Sequence, residues 1–287
     1  MQDFDPPPSV VVGIDGSEAA VGAALWAIDE AVARDIPLRL LYAIDPREAV
    51  RRDADSFAHR LATAEIALRY AFMAVEASRQ PVKIEIEIVQ GHPVTALTRA
   101  SRSAAMVCVG ASRHSSRKRV GSTASALVSS AHCAVAMLRG QDSVVRGSGG
   151  WIMVELDQSP QNGALVERAI EEARLRRAPL RALTRFQSQT SESESNRAVA
   201  EGDGDVRERP DPQLATWIRR YPDMDIRSVA VRGRIVDYLT EHASSVKLVV
   251  VRADDLGNVE EVGGLVGHSV LHDTDCPLLI VRGNSQA

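Results

Sequence analysis

Apolar residues along this chain fall into two alternating patterns: short runs with little polar interruption, and longer stretches in which they recur every three or four positions. Val10–Ile14 is such a run, as expected for a strand covered on both faces. Asp15, Gly16 and Ser17 then turn the chain and can cap a helix. Val21, Leu25, Ile28 and Val32 follow at helical spacing and mark one apolar face. Pro37 closes that helix, Leu38–Ile44 reads as a second strand, and Phe57, Leu61, Ala64, Leu68, Phe72 and Val75 predict a longer helix. Residues 82–89 alternate instead, with Ile84, Ile86 and Ile88 set against Glu85 and Glu87, which predicts a strand at the sheet edge with one wet face. A short helix over 94–102, a buried strand over 105–109, a helix from about residue 121 and a strand over Ala134–Leu138 complete the unit. Strands alternating with helices in this way predict a parallel α/β sheet with right-handed crossovers.

The pattern then repeats. SVVVGIDGSEAAVGAALWAIDEAVARDIPLRLLYAI near the start is echoed by WIMVELDQSPQNGALVERAIEEARLRRAPLRALTRF. Asp15 and Asp157, Gly91 and Gly233, and the segments VCVG and VVVR are each 142 residues apart. The expected organisation is therefore two α/β domains, 9–140 and 151–283, joined by a glycine-rich linker at 141–150. In the second copy a helix over 214–220, a strand over 225–231 and a helix over 235–243 are expected. Residues 187–211 break the correspondence. They hold seven acidic and three basic residues among Ser, Gly and Asn, too little apolar surface to offset their ordering entropy, which predicts a solvated, disordered insertion. The alternative is a docking tail whose serines, beside acidic residues, accept phosphate.

Charge and cysteine content narrow the function. With 34 Lys and Arg against 38 Asp and Glu, the net charge of −4 argues against a dedicated nucleic-acid binder. No apolar run approaches the length of a membrane span, and Asp3 and Asp5 do not suit a secretory signal. Three cysteines without a CxxC pair point to a reducing cytoplasm. His268, His272 and Cys276 stand four apart, superficially like metal ligands, but they fall on the last helix of the repeat, where surface or structural positions are expected. Neither a Ser-His-Asp order nor HExxH occurs, so the chain reads as non-enzymatic, with no metal.

Candidate chemistry gathers at the C-terminal ends of the strands, where open parallel sheets bind ligands. Asp15 ends the first strand. Gly110 ends the fourth and is followed by ASRHSSRKRV, a loop with Arg113, Arg117, Lys118 and Arg119 and no acid, which runs into Gly121, Ser122 and Thr123 at a helix start. Free N–H groups and hydroxyls at a helix start bind anions. The same residues also suit a capped helix behind a solvated basic loop. Neither a P-loop nor the dinucleotide GxGxxG is present, and no aromatic is interleaved with the basic residues to stack a base.

VVVGIDGS, VCVG, GSTASALVSSAHCAVAMLR and, in the second half, VVVR with DCPLLIVRG resemble the universal stress proteins in tandem form. The resemblance covers about 9–140 and 150–283. It implies two doubly wound, Rossmann-like domains, each a five-stranded parallel sheet with helices on both faces. It also implies pairing through the last strands, within the chain or between two chains as a homodimer. Members that bind ATP use G-x2-G-x9-G-[S/T]. By that resemblance Asp15 and Ala43 receive adenine, Gly110 begins the phosphate loop, and Gly121, Ser122 and Thr123 contact phosphate. This chain departs from the pattern. Arg113 stands where the second glycine belongs, and ten residues separate Gly110 from Gly121 where the pattern has twelve. Arg113 either crowds the pocket or pairs with a phosphate. The second half has Arg252 for the first glycine, Asp254 and Asp255 nearby, and Leu265 where Ser122 stands. Two readings result: a stress-response regulator binding ATP in the first domain only, or an interaction module that holds an unknown protein partner without nucleotide.

Overall fold

The computed structural model describes residues 7–48, 54–111, 122–138, 150–156, 162–185, 206–208, 212–231, 235–242, 244–253 and 276–282. The strands in chain order are β1 (Val10–Ile14), β2 (Leu38–Ile44), β3 (Ile84–Gln90), β4 (Met106–Gly110), β5 (Ala134–Leu138), β6 (Trp151–Leu156), β7 (Leu180–Arg185), β8 (Val206–Glu208), β9 (Ile226–Val231), β10 (Val246–Arg252) and β11 (Leu278–Val281). The helices are α1 (Glu18–Arg34), α2 (Ala54–Ala77), α3 (Pro93–Ala100), α4 (Ser122–Ser130), α5 (Asn162–Leu175), α6 (Pro212–Arg220) and α7 (Ile235–His242).

The strands form one 11-stranded sheet in the order β3-β2-β1-β4-β5-β11-β10-β6-β7-β9-β8. Among the five matched strands of each half the pairing is parallel, and β9-β7-β6-β10-β11 repeats β3-β2-β1-β4-β5, so the duplication in sequence is a duplication in topology. Uninterrupted apolar strands are what such a sheet requires, because both faces are covered. Val10 and Val12 pack into one layer with α1 and α2, while Val11 faces the other with Leu97 of α3 and Leu127 of α4. Each layer continues from the first half into the second.

The halves meet at an antiparallel ladder between β5 and β11, with Leu278 opposite Met137, Leu279 opposite Ala136 and Ile280 opposite Val135. Each of these last strands therefore has a neighbour on both sides. Strand β3 occupies one edge, as its alternation predicts. The other edge is β8, which lies inside the segment 187–211 expected to be a disordered excursion. Val206 pairs with Val231, Arg207 with Ala230 and Glu208 with Val229, antiparallel. Three residues gain backbone partners from an otherwise open edge strand, which composition averaged over 25 residues does not reveal. The remainder of that segment, and the linker except Gly150, lie outside the described residues.

Behind the ladder, α1 and α5 bring together a group absent from the reading above. Glu30 and Glu172 are both fully buried. Arg34 Nη1 reaches Glu30 at 2.6 Å, Arg176 Nη2 reaches Glu30 at 2.7 Å, and Arg168 Nη2 contacts Glu172 at 2.7 Å and Glu30 at 3.3 Å. Arg176 also bonds Glu172 and lies over the Trp26 ring, 4.4 Å from its centroid. Burial pushes the Glu172 carboxyl up to about 7, with the Glu30 charge adding to the rise and Arg176 and Arg168 opposing it. Burial acts the same way on Glu30, but Arg176, the hydrogen bond from Glu172, Arg34 and Arg168 outweigh it and hold that carboxyl below its ordinary value. Of the two carboxyls, Glu172 is therefore the one that takes up a proton first. Glu30 and Arg34 recur 142 residues later as Glu172 and Arg176, so the same E-x3-R pair from both copies closes on itself.

Candidate functional site

From β1 the chain crosses to β2 on one side, while β4 lies on the other, so the strand order reverses between β1 and β4. In open parallel sheets such a reversal is where a ligand crevice forms, at the C-terminal ends of the strands. Asp15 follows β1 and is exposed, with Oδ1 accepting the Ser17 N–H at 2.9 Å. Gly16 has φ 85°, a left-handed conformation that lets the chain turn at once into α1. Ser17 caps the helix, its Oγ accepting from Ala20 N at 3.1 Å. Ala43, the penultimate residue of β2, is half-buried opposite Val89.

Gly110 pairs with Leu138 at the end of β4. A Cβ there would sit 2.4 Å from the carbonyl carbon of Ala19 and 2.5 Å from the nitrogen of Ala20. Glycine at this position therefore lets α1 seat directly on β4, a role independent of any ligand. Arg113 and Gly121 lie outside the described residues. Ser122 begins α4, and Thr123, half-buried, follows in its first turn. The far end of that helix is tied down: Thr98 and Ser130 share a hydroxyl hydrogen bond of 2.8 Å, and His132 N donates to Ser101 Oγ at 2.9 Å. Parallel crossovers set the ends of β1, β2 and β4 and the start of α4 along one edge of the sheet. Asp15, Ala43, Gly110, Ser122 and Thr123 therefore share that edge.

Two residues at this edge carried no signal in the sequence. Asp45, just after β2, is 9% exposed and accepts the Arg47 N–H at 2.9 Å. That backbone hydrogen bond, with the Arg47 and His92 charges and a further bond from Arg47, holds its carboxyl below the usual range. His92 Nε2 stands 4.0 Å from Asp45 Oδ2, joining the ends of β2 and β3. Only an Asp directly after a strand, before a turn, hinted at such a cap.

In the second half the residue matching Gly110 is Arg252, 6% exposed at the end of β10. Its Nη2 donates to Asn162 Oδ1 at 2.8 Å, at the first residue of α5. A guanidinium thus lies against a helix start at the strand end matching Gly110. Asp157, Asp254, Asp255 and Leu265 lie outside the described residues, as do His268 and His272. Cys276 is buried, with Sγ 3.4 Å from Val246 O. Burial pushes the Cys108 thiol well up and the Cys133 thiol to about 12, so neither supplies a thiolate near neutral pH. Among the described residues no group of three or more His, Cys, Asp or Glu is placed to hold a metal, and no helix is long and apolar enough to cross a membrane.

The model of the universal stress protein family matches residues 8–139 and 151–282. A universal stress protein of Mycobacterium tuberculosis is 48% identical over 283 residues, covering 98% of each chain. A second from the same organism is 38% identical over 285 residues, again 98% of each. The crystal structure of a universal stress protein from Archaeoglobus fulgidus superposes with a TM-score of 0.71 at 14% identity, over 96% of this chain and 98% of that one, and so shares the fold. With both repeats matched, this chain belongs to the universal stress protein family, as a tandem of two of its domains.

Proposed function

We propose that the chain is a non-catalytic regulator of the stress response, acting in the cytoplasm, that binds ATP in its first domain only. The observation that carries this reading is the contrast between the two strand ends. In the first half Gly110 lets the start of α1 close directly onto the end of β4 beside Asp15, whereas in the second Arg252 extends a buried guanidinium to Asn162. A buried guanidinium held to the helix start at that point takes up the space a nucleotide phosphate needs. In the first domain Asp15 and Ala43 take the adenine side, and Ser122 and Thr123 offer hydroxyls and helix N–H groups to phosphate, with Gly110, Arg113 and Gly121 shaping the loop. The cytoplasmic setting is supported by the three free cysteines, Cys108, Cys133 and Cys276.

A second reading, an interaction module without nucleotide, is favoured by Arg113 and by the ten residues between Gly110 and Gly121. Each well-aimed charge-assisted hydrogen bond contributes about 1.5–3 kcal/mol, so losing two lowers affinity by roughly a hundredfold or more. Calorimetric titration with Mg-ATP separates the two. Saturable binding weakened by both Asp15→Ala and Gly121→Asp supports nucleotide binding. No heat at hundreds of micromolar supports the interaction module, and binding indifferent to both substitutions moves the pocket elsewhere.

A further inference from the structure

Four of the large apolar side chains most exposed among the described residues share one surface. These are Ile66 (70%), Tyr70 (57%) and Met73 (57%) on α2, and Ile86 (51%) on the edge strand β3. The inner face of α2 is already occupied, with Ala64, Ala67, Leu68, Ala71 and Val75 buried in the core. Packing within the chain therefore does not require the outer row. That row is nonetheless ordered: His59, Thr63, Ile66, Tyr70, Met73 and Ala77 are all exposed and follow one another at steps of four, three, four, three and four. This is the 3.5-residue spacing of a helix–helix seam.

We infer that α2 is a self-complementary seam through which two copies of this chain associate, antiparallel, about a two-fold axis that passes between the helices level with Leu68. The occupant is argued from the sequence of the seam itself. Positions equidistant from Leu68 are Ile66 and Tyr70, Thr63 and Met73, and His59 and Ala77, so a second copy presents a matching side chain at every step. On the β3 flank Glu65 and Arg69 lie one turn apart, and the same axis brings each Arg69 to within two residues, about 3 Å along the helix, of the other copy's Glu65. That flank opens onto an apolar cleft of about 540 Å³ between α2 and β3, floored by Leu68, Phe72, Ile86 and Ile88. The surface is also about the right size. At roughly 100 Å² each, the four exposed side chains supply about 400 Å², the apolar half of the roughly 800 Å² per partner of a stable interface. The last strands are not available for this role, since β5 and β11 pair with each other.

The full chain is tested at micromolar concentration by sedimentation velocity and light scattering. A dimer is expected. Ile66→Glu and Met73→Glu, both at exposed positions, each weaken association at least about tenfold while circular dichroism and the melting temperature stay unchanged. Glu65→Arg alone weakens the dimer, and Glu65→Arg combined with Arg69→Glu restores it. Register is read by mixing Ile66→Cys protein with Tyr70→Cys protein under mild oxidation. The native thiols are buried or half-buried, so a crosslinked heterodimer reports the antiparallel pairing. A wild-type monomer at these concentrations overturns the inference. So does a dimer that survives both glutamate substitutions, or a crosslink pattern that favours identical positions over the mixed pair.

Discussion

Replacing Glu172 by glutamine removes a titration that the fold makes expensive. Glu172 is fully buried, and its carboxyl rises from the ordinary 4.5 to about 7, chiefly through burial and then through the Glu30 charge. A folded state that holds a proton more tightly than the unfolded chain is favoured at low pH. This contribution is fully present below about pH 4.5 and is lost as pH rises through about 7. The rise corresponds to about 3 kcal/mol, a large share of the 5–15 kcal/mol that typically holds a protein together. Glutamine keeps an N–H donor and one carbonyl acceptor, which serves Arg168 or Arg176 but not both because they meet different carboxylate oxygens, and it cannot ionise. Urea denaturation of both proteins across about pH 4 to 8 should therefore show the variant no more stable than the wild type at the acid end, where the wild-type carboxyl is protonated. With rising pH the variant should gain on the wild type, by up to about 3 kcal/mol, and then level off above about 7. A stability difference that is constant with pH refutes the raised titration of Glu172.

Other substitutions test neighbouring parts of the same structure. Glu30→Ala leaves Arg176, Arg34 and Arg168 short of a buried partner and should cost about 3–5 kcal/mol in chemical denaturation, far more than Glu172→Gln at acid pH. Gly110→Ala places a methyl against the α1 backbone and should cost about 1–3 kcal/mol, with weaker amide protection in the first turns of α1 by hydrogen exchange. Leu279→Asp buries an unpaired carboxylate in the middle of the β5–β11 ladder and should cost at least about 3 kcal/mol, with a larger radius of gyration in small-angle scattering. Deleting residues 191–202, which leaves 186–190 and 203–205 to cross β9 between β7 and β8, should change the unfolding free energy by no more than about 0.5 kcal/mol, measured in urea.

Much of the framework is legible in the chain because strands covered on both faces must be apolar throughout. Val10–Ile14, Leu38–Ile44 and Ala134–Leu138 lie where uninterrupted runs place them, and the Ile/Glu alternation of β3 marks an edge. The less legible parts depend on partners far away in sequence. Glu30 looks like one more acid on an amphipathic helix until α5 brings Arg168, Arg176 and Glu172 against it. The recurrence of E-x3-R at the repeat spacing was a usable sign, but charge at helical spacing usually means a solvated face. Gly110 invites a reading as a ligand-loop glycine, and its contact with Ala19 and Ala20 depends on a helix some 90 residues earlier. Strand β8 is hidden by its acidic surroundings, since backbone pairing at an edge demands little of side chains. Likewise the outer row of α2 escaped a reading that followed only the buried stripe.

Because the sheet and both core layers pass without a break from one repeat to the other, the second repeat has work to do even with Arg252 lying across its own strand end. Ile152, Leu180 and Leu248 lie in the same layer as Val10, Leu38 and Met106, so loosening either set loosens the other. The thermodynamic unit is then the pair of repeats, melting in a single calorimetric transition whose enthalpy scales with both. Selection on such a buttress acts on its packing, leaving its crevice free to change. A substitution deep in the second repeat can therefore lower the working abundance of the first without touching any residue that meets a ligand.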